Sequence, residues 1–279
     1  MSSATIQQAS RTTAQSPPDW EAARYLAFER ERTRPARDLL AQVPPELHPR
    51  RVVDLGCGPG NSSALLAERY PEAHVTGVDT SPNMLEKARA ALPNITFQLG
   101  DLRKYSPPAE DGPVDLYYSN ATFQWLSVDE RIPAIRRYLD LLPPGGCFAV
   151  QVPNNFNEPS HKMMREVAIQ EPFRQQYGAN MPGNRGFPTP SELYDAFKPH
   201  CQTVDIWHTI YEHKLASHQA IVDWVATTGL RPYMEPLVDE EQRREFVERY
   251  LELLRPEYPT LVDGGVLLRF PRLFVVMTK

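Results

Sequence analysis

Apolar positions along this chain change period several times, and each change marks an element. Val52, Val53 and Leu55 form a short, nearly continuous apolar run that ends at a glycine, as expected of a strand buried on both faces in a parallel sheet. Runs of the same kind recur in HVTGVD, in PNITFQLGD ending at Asp101, in VDLYYSN and in CFAVQVP, and helical periods over 63–69, 82–91 and 129–142 separate them. Strands alternating with helices predict a Rossmann-like, doubly wound, mostly parallel α/β sheet. The LLPPGG stretch before Cys147 ends the third helix, because proline cannot continue it and glycine allows the reversal.

The flanks carry a different pattern. Over 19–43 apolar residues recur at helical spacing, among them Tyr25, Phe28, Leu39 and Leu40, and Pro35 is placed to open a second helix. Beyond Pro153 the chain predicts a helix, a Gly/Pro-rich loop QQYGANMPGNRGFPTP, a serine-capped helix in SELYDAFKPH and a long strand in QTVDIWHTIYEHKL. Two more helices, in SHQAIVDWVATTGLRPYM and DEEQRREFVERYLELL, precede a final strand pair around LLRFPRLFVVMTK. The expected organisation is a core over about 45–152, 201–216 and 263–279, with a cap from about 19–44, 153–200 and 217–262. Residues 1–17, rich in Ser, Thr, Gln and Ala, read as a disordered tail.

Composition narrows the classes. An apolar fraction of 41% in 279 residues suffices for a full core, and a net charge of -5 argues against broad nucleic-acid binding. Any anion site must then be a local arginine cluster. Cys57, Cys147 and Cys201 lack C-x-x-C spacing and read as reduced thiols of a cytoplasmic protein. No apolar run approaches a membrane span. His200, His208, His213 and His218 lack metal-ligand spacing, so no metal is expected.

The chemistry concentrates where the first strand meets its helix, in RVVDLGCGPGNSS. Gly56, Gly58 and Gly60 allow the backbone to turn and lie against a ligand, and the helix behind them points free N–H groups at the same place. A dinucleotide turn needs G-x-G-x-x-G, yet Asn61 stands where the third glycine belongs. Asp54 adds a carboxylate that repels phosphate and attracts an ammonium or sulfonium. The turn therefore reads as one for a cationic nucleoside. Asp79, about 20 residues past the glycine turn, lies where such folds hold ribose hydroxyls, with Ser81 and Pro82 left to start the next helix. Asn120, Gln124 and Trp125 follow the fourth strand at the ligand edge of the sheet.

VVDLGCGPGN, GVDTSPNML and the later GD and GG elements resemble the class I S-adenosylmethionine-dependent methyltransferases over about residues 51–152. The resemblance implies S-adenosyl-L-methionine as cofactor and a seven-stranded sheet with an antiparallel last strand. It places Asp54, Gly56, Gly58, Asn61, Asp79, Ser81, Met84, Asp101, Leu102 and Asn120 around the cofactor. YLAFERERTRPARDLLAQVP, SHQAIVDWVATTGLRP and LLRFPRLFVV are further similar to the flanks of the trans-aconitate 2-methyltransferases. That resemblance implies methyl transfer to a carboxylate of a small tricarboxylic acid. Among the arginines interleaved with acids over 24–37, Arg32 and Arg34 are the expected carboxylate holders together with Arg231, and Tyr25, Gln124 and Trp125 shape the wall. Arg269 and His208 are weaker candidates. A methyltransferase of natural-product hydroxyls or carbons, and a non-catalytic cofactor-binding partner, are the alternatives.

Overall fold

The computed structural model describes residues 29–177, 181–182, 186–226 and 228–279. In chain order the elements are α1 (Glu29–Leu40), β1 (Arg51–Leu55), α2 (Asn61–Arg69), β2 (His74–Asp79), α3 (Pro82–Ala91), β3 (Thr96–Leu99), β4 (Leu116–Asn120), α4 (Val128–Leu141) and β5 (Cys147–Pro153). Then come α5 (Pro159–Ala168), α6 (Phe173–Tyr177), α7 (Pro190–Phe197), β6 (Thr203–Leu215), α8 (His218–Ala226), α9 (Arg231–Met234), α10 (Glu240–Glu257) and β7 (Val266–Thr278).

The strands form one sheet in the order β3-β2-β1-β4-β5-β7-β6. The pairs among β1 to β5 are parallel, and β7 runs antiparallel to both of its neighbours. Strand order reverses between β1 and β4, so a crevice opens there at the carboxyl edge, where doubly wound folds bind ligands. Both faces are covered. Tyr117, Phe148, Val150 and Val275 pack under α4 and α7 on one side, and Tyr118, Ala149 and Phe274 under α1 and α2 on the other.

Burial along β7 explains the cap. From Val266 to Phe270 only alternate residues are buried, whereas Phe270 to Met277 are buried without a break. The change falls near Arg272, the residue paired with the last residue of β5, Pro153. Beyond it, residues 266–271 of β7 pair only with Ile210–Leu215 of β6, giving a two-stranded ribbon that projects about 20 Å past the sheet. A second core of Phe246, Tyr250, Trp224, Phe173, Met164 and Phe270 packs on one face of this ribbon.

Three sequence expectations need correction. Pro35 lies inside α1 and opens no second helix: its ring suits helical φ, and burial of Ala36, Leu39 and Leu40 offsets the hydrogen bond it cannot donate. Thr189, not a serine, caps α7, because Pro190 takes the first helical position and Glu192 completes the capping box. The final strand pair is a single 13-residue strand that passes through Pro271.

Candidate active site

β1 runs into α2 through Gly56, Gly58 and Gly60, with φ of 76°, 54° and 99°. The amides of Gly56 and Cys57 donate to the Val78 carbonyl at 2.7 and 3.1 Å, tying the loop to β2. A Cβ on Gly56 would lie 2.2 Å from the Thr122 side chain, whereas one on Gly58 would meet nothing within 4 Å. The first glycine is thus demanded by packing across the β1–β4 crevice, and the second borders open space.

Asp79 ties this loop to the next turn. Its Oδ2 accepts from the Gly58 amide at 3.0 Å and its Oδ1 from the Ser81 amide at 2.8 Å. Ser81 caps α3 by accepting from the Met84 amide, and Asn61 begins α2, whose N-cap Gly60 supplies no side-chain cap. Asp54 lies fully buried behind the loop, where the Ser62 and Ser63 hydroxyls both donate to its Oδ2 at 2.7 Å. Its Oδ1 has no hydrogen-bond partner. Burial pushes its pKa up to about 6; the two serine hydroxyls oppose the shift and the Asp79 charge adds to it.

β4 ends at Asn120, whose buried Oδ1 also has no hydrogen-bond partner. The next residue, Ala121, has φ 57°, a left-handed conformation for a residue with a Cβ, of the kind that collects at ligand sites. Its amide donates to the Gln151 carbonyl at 2.9 Å. The Gln124 amide group donates to the Ala121 carbonyl at 2.6 Å, and Trp125 is 58% exposed, so it belongs to no core. Buried Arg131 holds this turn by donating to the carbonyls of Leu126, Gln124 and Gly186.

Asp101 caps the turn that follows β3. Its carboxylate takes Arg103 in a fork at 2.6–3.0 Å and the Arg103 amide at 2.9 Å, which lowers its pKa. Leu102 is buried beside it, its carbonyl accepting from the Tyr138 hydroxyl.

The candidate acid holders are spread out. Arg34 stands 5.1 Å over the Tyr211 ring while Tyr211 donates to Asp38, so α1 docks on the base of the ribbon. Arg231 is exposed and pairs with Glu235. Arg269 pairs with Glu158 at 2.8 Å, and His208 contacts Asn154. Tyr25 and the Arg32 side chain lie outside the described residues. Sequence reading passed over Gln151 and Arg272 and weighed His213 only as a metal ligand; all three are buried on the α1 side of the sheet and ribbon. Strand parity was the available signal: Arg269 and Arg272 are three apart and His208 and His213 five apart, so each pair divides between opposite faces. Among the described residues, no group of three or more His, Cys, Asp or Glu could hold a metal ion.

A family profile described as a methyltransferase domain matches residues 52–146. Over 261 residues, covering 94% of this chain and 99% of the relative, the sequence is 49% identical to a trans-aconitate 2-methyltransferase of Rhodopseudomonas palustris strain BisB18. The chain belongs to the trans-aconitate 2-methyltransferase family. A family member from Methylobacterium nodulans is 50% identical over 262 residues, again 94% of this chain and 98% of the relative. The crystal structure of YcgJ from Bacillus subtilis covers 93% of this chain and 98% of its own with a TM-score of 0.50, and at 14% identity it matches the fold alone. Family membership therefore extends over the ribbon and cap as well as the glycine loop.

Proposed function

We propose that the protein transfers the methyl group of S-adenosylmethionine to a carboxylate of trans-aconitate, forming a monomethyl ester. The observation that carries this reading is identity near one half along almost the whole of both chains, cap included, to enzymes named for that reaction.

The residues at the switch point fit the cofactor. Space opens beside Gly58, where a Cβ would touch nothing. The uncapped start of α2 offers N–H groups to a carboxylate. The unpartnered oxygens of Asn120 and Asp54 are acceptors suited to an ammonium. Asp79, tied to the Gly58 amide, keeps acceptor capacity for ribose hydroxyls. We assign cofactor contacts to Asp54, Gly56, Gly58, Asn61, Asp79, Ser81, Met84, Leu102 and Asn120. Asp101 joins them if Arg103 gives up one of its carboxylate oxygens. When bound, the cofactor supplies a methyl group on positively charged sulfur.

The chain's own work is placement. A carboxylate is ionised at neutral pH, so no side chain has to remove a proton. Burying the reacting oxygen away from water and fixing it in line replaces a bimolecular encounter, an advantage that reaches about 7 kcal/mol or more. Arg34, over the Tyr211 ring at the base of the ribbon, and the Gln124–Trp125 turn after β4 are assigned to the acid. The test is a competition assay offering trans-aconitate, citrate, isopropylmalate and a phenolic acceptor with limiting cofactor. Preferential esterification of trans-aconitate is expected; methylation of the phenol alone favours a natural-product enzyme.

A further inference from the structure

The α1-side face of β5, β7 and β6 carries a row of buried polar side chains that the site described above does not use. Gln151 is 0% exposed, Arg272 5% and His213 7%. Register fixes their order outward from the crevice. Gln151 is level with Asn120 across β4 and with Phe274 across β7, Arg272 lies two residues further along β7, and His213, opposite Leu268, lies on the ribbon. Arg272 donates to Gln151 Oε1 at 3.5 Å, leaving the Gln151 Nε2 group buried without a hydrogen-bond partner. The His213 Nε2 is likewise buried and unpartnered, with its ring stacked 4.6 Å from Trp224. The guanidinium of Arg272 and the ring of His213 both rest against Phe270, at 4.8 and 6.0 Å. Arg34 overlooks the same row from Tyr211.

Unsatisfied donors in a dry site are costly, by about 1–3 kcal/mol each. These two flank a buried cation, so the ligand that satisfies them is an anion. The Arg272 side chain links them, meeting Gln151 at one end and sharing the Phe270 ring with His213 at the other, which suits more than one carboxylate on one small molecule. We infer that Gln151, Arg272 and His213 form the subsite that grips the non-reacting carboxylates of the polycarboxylic acid acceptor, an inference that rests on the methyl-transfer reading above. Burial and the charges of Arg272 and Arg34 keep the His213 ring neutral, with its pKa lowered to about 4, which leaves one ring nitrogen free to donate. Gln151, level with Asn120, is the end of the row nearest the crevice, and Arg272 and His213 lie further from it. The geometry then selects acids by the number of their carboxylates and leaves the reacting oxygen un-neutralised.

The experiment measures acid binding separately from turnover. Calorimetry titrates trans-aconitate, and a dicarboxylic acid lacking one of its carboxylates, into the protein saturated with S-adenosylhomocysteine, for wild type, Gln151→Leu, His213→Phe, Arg272→Met and Arg272→Lys. His213→Phe keeps the ring stack, and Arg272→Lys keeps the charge if the methionine variant fails to fold. Tricarboxylate affinity should fall about 10- to 100-fold in the first three, the size expected for one hydrogen bond to a charged group, with a smaller loss in Arg272→Lys. Dicarboxylate affinity should fall less, and nucleoside affinity should stay within about twofold of wild type. Unchanged tricarboxylate affinity, equal losses for both acids, or no acid binding by wild type overturns the subsite. Acid bound by wild type but never methylated overturns the reaction instead, while the variant affinities still judge the subsite.

Discussion

At the scale of single residues, the glycine turn separates structural from ligand constraints. Gly56→Ala meets both a left-handed φ and the Thr122 side chain at 2.2 Å, so it should cost about 2 kcal/mol or more in chemical denaturation. Gly58→Ala has the strained φ but no collision, and should cost only about 1 kcal/mol while calorimetry finds cofactor affinity reduced at least tenfold. Equal stability losses in the two would contradict this division. His213 yields a pH prediction. A histidine whose pKa falls from 6.5 unfolded to about 4 folded binds fewer protons when folded, so stability rises from pH 4 to 6.5 and is lost as pH falls through that window. Arg272 and Arg34 face the ring and act in the same direction as burial. The melting temperature of wild type relative to that of His213→Phe should therefore rise between pH 4.5 and 6.5; parallel profiles would remove the ring from its buried site. Asp54 has the opposite sign, its raised pKa making stability fall as pH rises from about 4 to about 6, and it is common to both proteins. The alternating glycines and Asp79 were legible in sequence because backbone constraints leave residue-type signatures. The Asp101–Arg103 fork was not, since whether an acid is free or paired depends on a side-chain rotamer.

At the scale of elements, the parallel strands were readable because burial on both faces leaves continuous apolar runs, and β1, β2 and β5 lie where those runs predict. The ribbon was harder to read. Its alternating half and its fully buried half belong to one strand, and the change in pattern at Phe270 looks like a break between two. Gln151 within CFAVQVP and Arg272 within LLRFPRLFVV were visible as polar residues in apolar runs, but only pairing reveals that they share a face. The cap elements are joined by a few buried polar contacts. The Tyr250 hydroxyl of α10 donates to the Ser160 carbonyl of α5 at 2.6 Å, and the Ser160 amide donates to the Tyr258 hydroxyl at 3.0 Å. Tyr250→Phe leaves that carbonyl unsatisfied in the interior and should lower stability by about 1–2 kcal/mol, measured by urea denaturation. A loss within error would mean that water reaches the site and takes the hydroxyl's place.

At the scale of the whole molecule, the sheet core and the cap core are separate clusters joined through one ribbon. The crevice that suits the cofactor belongs to the sheet, and the donor row lies where sheet becomes ribbon. Phe246 is fully buried in the cap core, edge-on to Phe173. Phe246→Ala should cost about 3–5 kcal/mol locally, speed amide exchange in α8 and α10, and raise the KM for acid while nucleoside affinity holds. A parallel loss of both affinities would show that the two cores unfold together. The glycine loop and Asp79 made a site for a cationic nucleoside legible, and the resemblance of VVDLGCGPGN and GVDTSPNML to the class I methyltransferases supplied the reaction. Its acceptor was legible only by resemblance, because the row proposed to hold it is assembled from Gln151 of β5, His213 of β6 and Arg272 of β7, which lie far apart in the chain. The central claim is tested most directly by incubating the purified protein with trans-aconitate and S-adenosylmethionine carrying a fully deuterated methyl group, then weighing the products. The account predicts an aconitate monomethyl ester that retains the whole labelled methyl, formed in equal amount with S-adenosylhomocysteine. S-adenosylhomocysteine without labelled ester, or no consumption of cofactor, would contradict it.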